Sequence, residues 1–386
     1  MRSNTLLTRT EMDESLALLH ILISSNTVNP PGNEKDLALT LKKCLFEEGI
    51  ESEVDEFEPN RANLIFRLKG ENPGKALLVT GHLDTVPTGK IPWKYDPFSG
   101  TIENGYIYGR GVSDMKGSDA AMLYALIRLK RKNIVPKQDV VFLGTAGEEL
   151  LCLGSKDFVK KGGMDDIGAA LVGEPSDGKL FLAHKGAAWV EVTTHGQTAH
   201  GSMPNFGINA ILAMNEFLSA FKKQQFTIDP HPLLGMPTYS INEVKGGVAI
   251  NVVPDSCTCS IDFRTIPGQT EDDVRAMLDK AFAEAKAKDK TFKAEYKFTC
   301  VLPSVSCPAK DKIIDAALKA AGKKLEQKGV NYFTDASVLI GPKEMPVIIY
   351  GPGEESQAHQ PNERLSIDKF FESIEFYEKF ISTYKI

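Results

Sequence analysis

Four apolar runs in this chain each close on a glycine, and each is followed by a histidine or an acid. Ala76-Leu-Leu-Val-Thr-Gly81 leads to His82 and Asp84, and Val140-Val-Phe-Leu-Gly-Thr-Ala-Gly147 leads to Glu148 and Glu149. Ala169-Ala-Leu-Val-Gly173 leads to Glu174, and Val347-Ile-Ile-Tyr-Gly351 leads, after a loop, to His359. The runs are strand-like and alternate with amphipathic, helix-like stretches. That alternation predicts an α/β architecture with a mostly parallel sheet. In open α/β sheets, ligands bind beyond the carboxyl ends of the strands. Four such ends would gather histidines and carboxylates into one crevice. Asp114 joins them from the turn Gly111-Val-Ser-Asp114, just ahead of a helix-like stretch over Ser118–Arg131.

One segment follows a different rhythm. Strand-like patterns at Ala187–Thr194, Thr238–Val244, Ser256–Thr265 and Phe292–Phe298 are interleaved with helix-like patterns at Gly207–Lys223 and Glu271–Lys288. The order is β-α-β-β-α-β, a ferredoxin-like arrangement that can stand as a small domain. In Ser256–Thr265, Cys257, Cys259, Ile261 and Phe263 share one face, the mark of an antiparallel strand buried on one side. A domain spanning 183–299 is therefore expected, inserted into a catalytic domain made of 1–182 and 300–386. Its edge strands invite pairing with a second copy.

The chain's 386 residues suit about two domains of roughly 100–200 residues each. Its net charge of −6 leaves no basic stripe for nucleic acid. No apolar run reaches the roughly 20 residues of a membrane span. The stretch Met1–Glu14 lacks the apolar centre of a signal peptide, so a cytoplasmic location is expected. Six scattered cysteines make no disulfide framework, and Cys257 and Cys259 read as packing residues.

A lone glutamate at a strand end is usually a solvated acid, and a lone histidine a satisfied polar side chain. The joint pattern points to a metal site. Imidazole with carboxylate and no thiolate suits zinc, cobalt or manganese better than calcium. Five ligands exceed what one open tetrahedral zinc would use, whereas a carboxylate bridging two metals would employ them all. Two-metal sites are typical of hydrolases.

Gly81-His82-Leu83-Asp84-Thr85-Val86-Pro87 resembles the HxDxVP motif of the dinuclear zinc amidohydrolases and peptidases. That group includes aminoacylase, acetylornithine deacetylase, succinyl-diaminopimelate desuccinylase and the glutamate carboxypeptidases. Gly109-Arg-Gly-Val-Ser-Asp114-Met-Lys-Gly117, Gly147-Glu-Glu149, Gly173-Glu-Pro175 and Ala358-His-Gln-Pro-Asn-Glu363 resemble its other motifs, in the family order. The resemblance implies a zinc-peptidase-like catalytic domain with an inserted lid and dimerisation domain. It implies two divalent metals, zinc with cobalt as the alternative. Asp114 would bridge them, His82 and Glu174 would hold one, and Glu149 and His359 the other. Asp84 would orient His82, and Glu148 would be the general base. It further implies a cis peptide at Asp114–Met115. In the lid, His200 would donate to the oxyanion in the partner subunit's site, and Asn251 and Arg264 would hold a substrate carboxylate.

Val330-Asn-Tyr332, Thr334-Asp-Ala336 and Gly351-Pro-Gly353 look closest to the acetylornithine deacetylases. The expected activity is hydrolysis of an N-acyl amino acid by a homodimer. A dipeptidase, a glutamate-type carboxypeptidase or a desuccinylase using the same site is the alternative.

Overall fold

A computed structural model describes residues 5–341 and 345–386. Two compact units are evident. The first holds the residues up to Ala183, Ser306–Lys328 and Thr334–Ile386, and the second holds His184–Val305 and Gly329–Phe333.

The first unit is built on a nine-stranded sheet. Its centre is four adjacent parallel strands in the order Gln138–Thr145, Asn72–His82, Ile167–Val172 and Val347–Ile349. These are the four apolar runs that lead to histidines or acids. Parallel neighbours end on the same edge, so the four carboxyl ends and the residues immediately after them lie together. Antiparallel strands flank this centre, Arg61–Leu68 on one side and Leu180–His184 on the other. Gln138–Thr145 is buried throughout, as a strand with both faces covered should be. The helix Gly117–Arg131 is buried almost all round as far as Leu129 and packs against Ile367–Thr383.

A small third sheet joins Thr101–Glu103, Tyr106–Tyr108 and Arg364–Ser366. Its strands have three residues each, too few for a period of two to stand out in sequence. It brings the chain after Asn362 beside the segment that leads to Asp114.

The second unit carries an antiparallel sheet in the order Thr238–Gly246, Ser256–Arg264, Ala187–His195 and Ala294–Leu302. Helices Ala210–Phe221 and Glu271–Lys288 complete the β-α-β-β-α-β order. Asn209 caps the first, its side chain accepting from the N–H groups of Ile211 and Leu212, and Thr270 with Asp273 forms a capping box on the second. Cys257, Cys259, Ile261 and Phe263 turn inward to meet Val190, Val192, Phe217, Phe221 and Leu278. The alternation in Ser256–Arg264 is therefore the boundary between this core and the opposite, polar face. Among the described residues no helix is long and apolar enough to cross a membrane.

Phe217 is fully buried and stacks on Phe221 with ring centroids 5.5 Å apart. Phe217→Ala should lower the stability of this unit by about 3–5 kcal/mol, read from guanidinium unfolding followed by circular dichroism.

Candidate metal centre

His82 is the last residue of its strand and is buried. Its Nε2 lies 3.1 Å from Asp114 Oδ1 and 4.0 Å from Glu174 Oε1. The other oxygen of Asp114, Oδ2, lies 3.3 Å from His359 Nε2, which is also 3.0 Å from Glu149 Oε1. Ligand atoms of His82, Asp114 and Glu149 fall within 4.8 Å of one another. Five residues from five separate stretches of chain thus converge on one spot. Gly81 leaves no room for a side chain: a Cβ there would stand 2.2 Å from Asp119 Oδ1 and 2.3 Å from Met115 Cε.

Asp84 is fully buried behind His82. His82 Nδ1 is 3.0 Å from the Asp84 carbonyl oxygen and 3.6 Å from its carboxylate. That carboxylate also accepts the backbone N–H groups of Glu148 at 3.1 Å and Glu149 at 3.2 Å. One residue therefore holds a histidine through its main-chain carbonyl and, through its carboxylate, the turn that bears two glutamates.

An extended Glu148-Glu149 pair would send the two side chains in opposite directions. Glu148–Leu150 is instead a 3₁₀ turn opened by Gly147 in the left-handed region at φ 70°. Successive residues of a 3₁₀ turn point about 120° apart, so the side chains still diverge. Glu149 reaches His359, while Glu148 stays buried, with the Cys152 thiol 4.0 Å from its Oε1.

The peptide bond Asp114–Met115 is cis. The loop before it is held by Glu363, to which sequence reasoning assigned no role. Glu363 Oε1 accepts the N–H groups of Ser113 at 2.7 Å and Asp114 at 3.0 Å. Its Oε2 accepts from Gly111 N at 2.9 Å and Arg110 at 2.7 Å. Glu363 stands four residues after His359 in a run already matched to a motif, and that spacing was the available signal. A single short segment thus delivers one histidine and anchors the aspartate opposite it.

Burial, with Glu174, Asp335 and Glu149 nearby, pushes the Glu148 carboxyl well above the usual range, against the pull of His82. Burial raises Glu174 likewise, with Asp114, Asp335 and Glu149 adding to it. Burial alone would lower the His82 imidazole, yet Asp114, Glu174 and Asp84 hold it well above its ordinary value. Buried carboxylates facing one another call for a cation. Two imidazole nitrogens and three carboxylates are a donor set that fits zinc or cobalt.

His200, Asn251 and Arg264 belong to the second unit. His200 is exposed, its Nδ1 2.7 Å from Ser202 Oγ. The Gly201 N–H donates to the Asn251 carbonyl at 2.7 Å, so these two segments lie side by side. Arg264 pairs with Asp262 at 3.0 Å and lies 5.7 Å over the Phe333 ring.

Residues 78–383 match the Peptidase family M20/M25/M40. A probable succinyl-diaminopimelate desuccinylase of Staphylococcus aureus is 29% identical, covering 95% of this chain and 96% of its own. An acetylornithine deacetylase of Photorhabdus laumondii is 32% identical over 88% of each chain. The crystal structure of a dinuclear metal-binding M20 peptidase from Bacillus subtilis superposes with a TM-score of 0.76 at 16% identity, covering 97% of this chain and 98% of that one.

Glu363→Gln should replace one of two fully used acceptor oxygens with a donor. N–H groups now bonded would face an amide N–H₂, and the metal-free protein should lose about 2–4 kcal/mol in denaturant titration.

Proposed function

The chain belongs to peptidase family M20/M25/M40, and from that premise we propose that it hydrolyses the amide bond of an N-acyl amino acid at a dinuclear metal centre. It is a metallohydrolase of that family. The observation that carries the dinuclear reading is the division of Asp114: Oδ1 faces His82 and Oδ2 faces His359. A carboxylate so shared is placed to bridge two ions. His82 and Glu174 would complete one site, and Glu149 and His359 the other, with zinc as the metal and cobalt as a substitute. When bound, the metals supply Lewis-acid chemistry that lowers the pKa of water to about 7 and polarises the scissile carbonyl.

The chain's own residues do the rest. Glu148 takes the proton of the attacking water and passes it to the leaving amine. The main-chain carbonyl of Asp84 accepts from His82 Nδ1–H, fixing the tautomer that leaves Nε2 free to ligate. His200 donates to the oxyanion, and Arg264 with Asn251 holds the substrate carboxylate, a task suited to the guanidinium fork.

The preferred substrate class is the N-acetyl amino acid, on the stretches Val330–Tyr332 and Thr334–Ala336. The staphylococcal relatives, matched along nearly the whole chain, favour an N-succinyl substrate as the second reading. The six cysteines stand as free thiols, which suits a reducing compartment such as the cytoplasm. Release of free amine from N-acetyl, N-succinyl and dipeptide substrates, with zinc or cobalt supplied, decides among these. N-acetyl substrates should turn over fastest. Faster N-succinyl cleavage would install the second reading, and hydrolysis of none of the panel would overturn both. Glu148→Gln should keep both metals but lose about 10²–10⁴ in kcat, because an amide cannot carry the proton.

The second unit is read as a lid through which two copies pair. Thr238–Gly246 is an edge strand of its sheet, and Val244, Val248, Ile250 and Leu212 are exposed nearby. A two-fold pairing would bring His200 to the site of the partner. Mixing His200→Ala with Glu148→Gln protomers should then restore activity, since each heterodimer has one intact site. Heterodimers without recovered activity would show that His200 does not act in trans.

A further inference from the structure

The run Asn29-Pro-Pro-Gly-Asn-Glu34 follows the helix Arg9–Ser24, leads into the helix Glu34–Glu47 and supplies none of the proposed metal ligands. It lies behind the metal centre. The Asn29 N–H donates to the Thr85 carbonyl at 2.8 Å, and Thr27 Oγ1 donates to the Leu83 carbonyl at 2.6 Å, so the run is stitched alongside Asp84. Asn29 is buried, and its Nδ2 donates to Asp84 Oδ2 at 2.6 Å. Its Oδ1 accepts from Arg61 Nη2. Arg61 is buried as well and donates through Nε and Nη2 to the Pro31 carbonyl at 3.2 and 3.1 Å.

We propose that Asn29 and Arg61 are positioning residues that act on the hydrolytic centre through Asp84. The chemistry is directional. An amide has one donor end and one acceptor end, and only the donor end can face a carboxylate. A guanidinium offers donors alone, so Arg61 fixes which end of Asn29 turns toward Asp84. The ordered amide then leaves Asp84 a donor on each side: Asn29 behind, and the Glu148 and Glu149 N–H groups in front. Space enforces the arrangement. A Cβ at Gly32 would stand 2.9 Å from Arg61 Nη2, and one at Gly147, the residue before Glu148, would stand 2.5 Å from Arg61 Nη1. Arg61 thus reaches both the loop behind Asp84 and the turn in front of it. The proposal rests on the reading of Asp84 as the residue that orients the centre, His82 through its main-chain carbonyl and the Glu148–Glu149 turn through its carboxylate.

Zinc titrated calorimetrically into chelator-stripped protein tests it. Asn29→Leu removes the amide at similar volume, and Asn29→Asp keeps the shape but sets a carboxylate against Asp84. Both should weaken zinc binding about 10- to 100-fold, the range expected when a partner behind a ligand is lost. Asn29→Asp should be at least as damaging as Asn29→Leu. Arg61→Lys should recover part of what Arg61→Met loses. In an Asp84→Asn background, Asn29→Leu should cost little more, because the path already ends there. Zinc affinity within twofold of the parent for Asn29→Asp would overturn the proposal, as would fully additive losses in the double variant. Unchanged affinity in Asp84→Asn alone would instead overturn the underlying reading of Asp84.

Discussion

Carboxylates buried together repel one another, and this chain collects several of them at one sheet edge. Asp114, Glu148, Glu149 and Glu174 all stand at the ends of the central parallel strands or in the loop beside them. Such a cluster holds its geometry only if something stronger than the repulsion fixes each backbone. Much of the first unit can be understood as that support. Buried strands set the edge, and glycines let neighbouring elements approach to van der Waals contact behind it.

Support comes from two further acids, whose oxygens accept three and four hydrogen bonds. Asp84 accepts backbone N–H groups from the turn carrying Glu148 and Glu149, and Glu363 accepts three from the loop carrying Asp114. A carboxylate that accepts several backbone N–H groups orders the stretch of chain that donates them. Arg110 pairs with Glu363, and Asn29 with Arg61 backs Asp84. Each supporting acid therefore has its own cation or cation-ordered amide behind it. The acids proposed to ligate and to react are left facing one another.

The second unit follows simpler rules. Its sheet has one apolar face, and two capped helices cover it. The residues proposed to touch substrate from this unit sit on loops or on the polar face, where packing does not dictate identity. Arg264 shows the pattern: it follows Phe263, which is buried in the core, and turns the opposite way toward Asp262.

Sequence alone determined the α/β class, the split βαβ order of the second unit, and the residues at the strand ends. Those features are local: period, glycine and the next side chain are adjacent along the chain. His82, Glu148, Glu149 and Glu174 were legible because each stands at or just beyond the end of a buried strand. The partners behind them were not. Asn29 lies 55 positions from Asp84, and Glu363 lies 249 from Asp114. Contacts at such separation leave no spacing between the partners to read, and the only signal for Glu363 was its distance from His359. The 3₁₀ form of the Glu148 turn escaped for the same reason, since the carboxylate that accepts its N–H groups comes from the loop after another strand. Only the tertiary structure showed which backbone N–H groups Asp84 and Glu363 hold, because that depends on what each carboxylate meets across the fold.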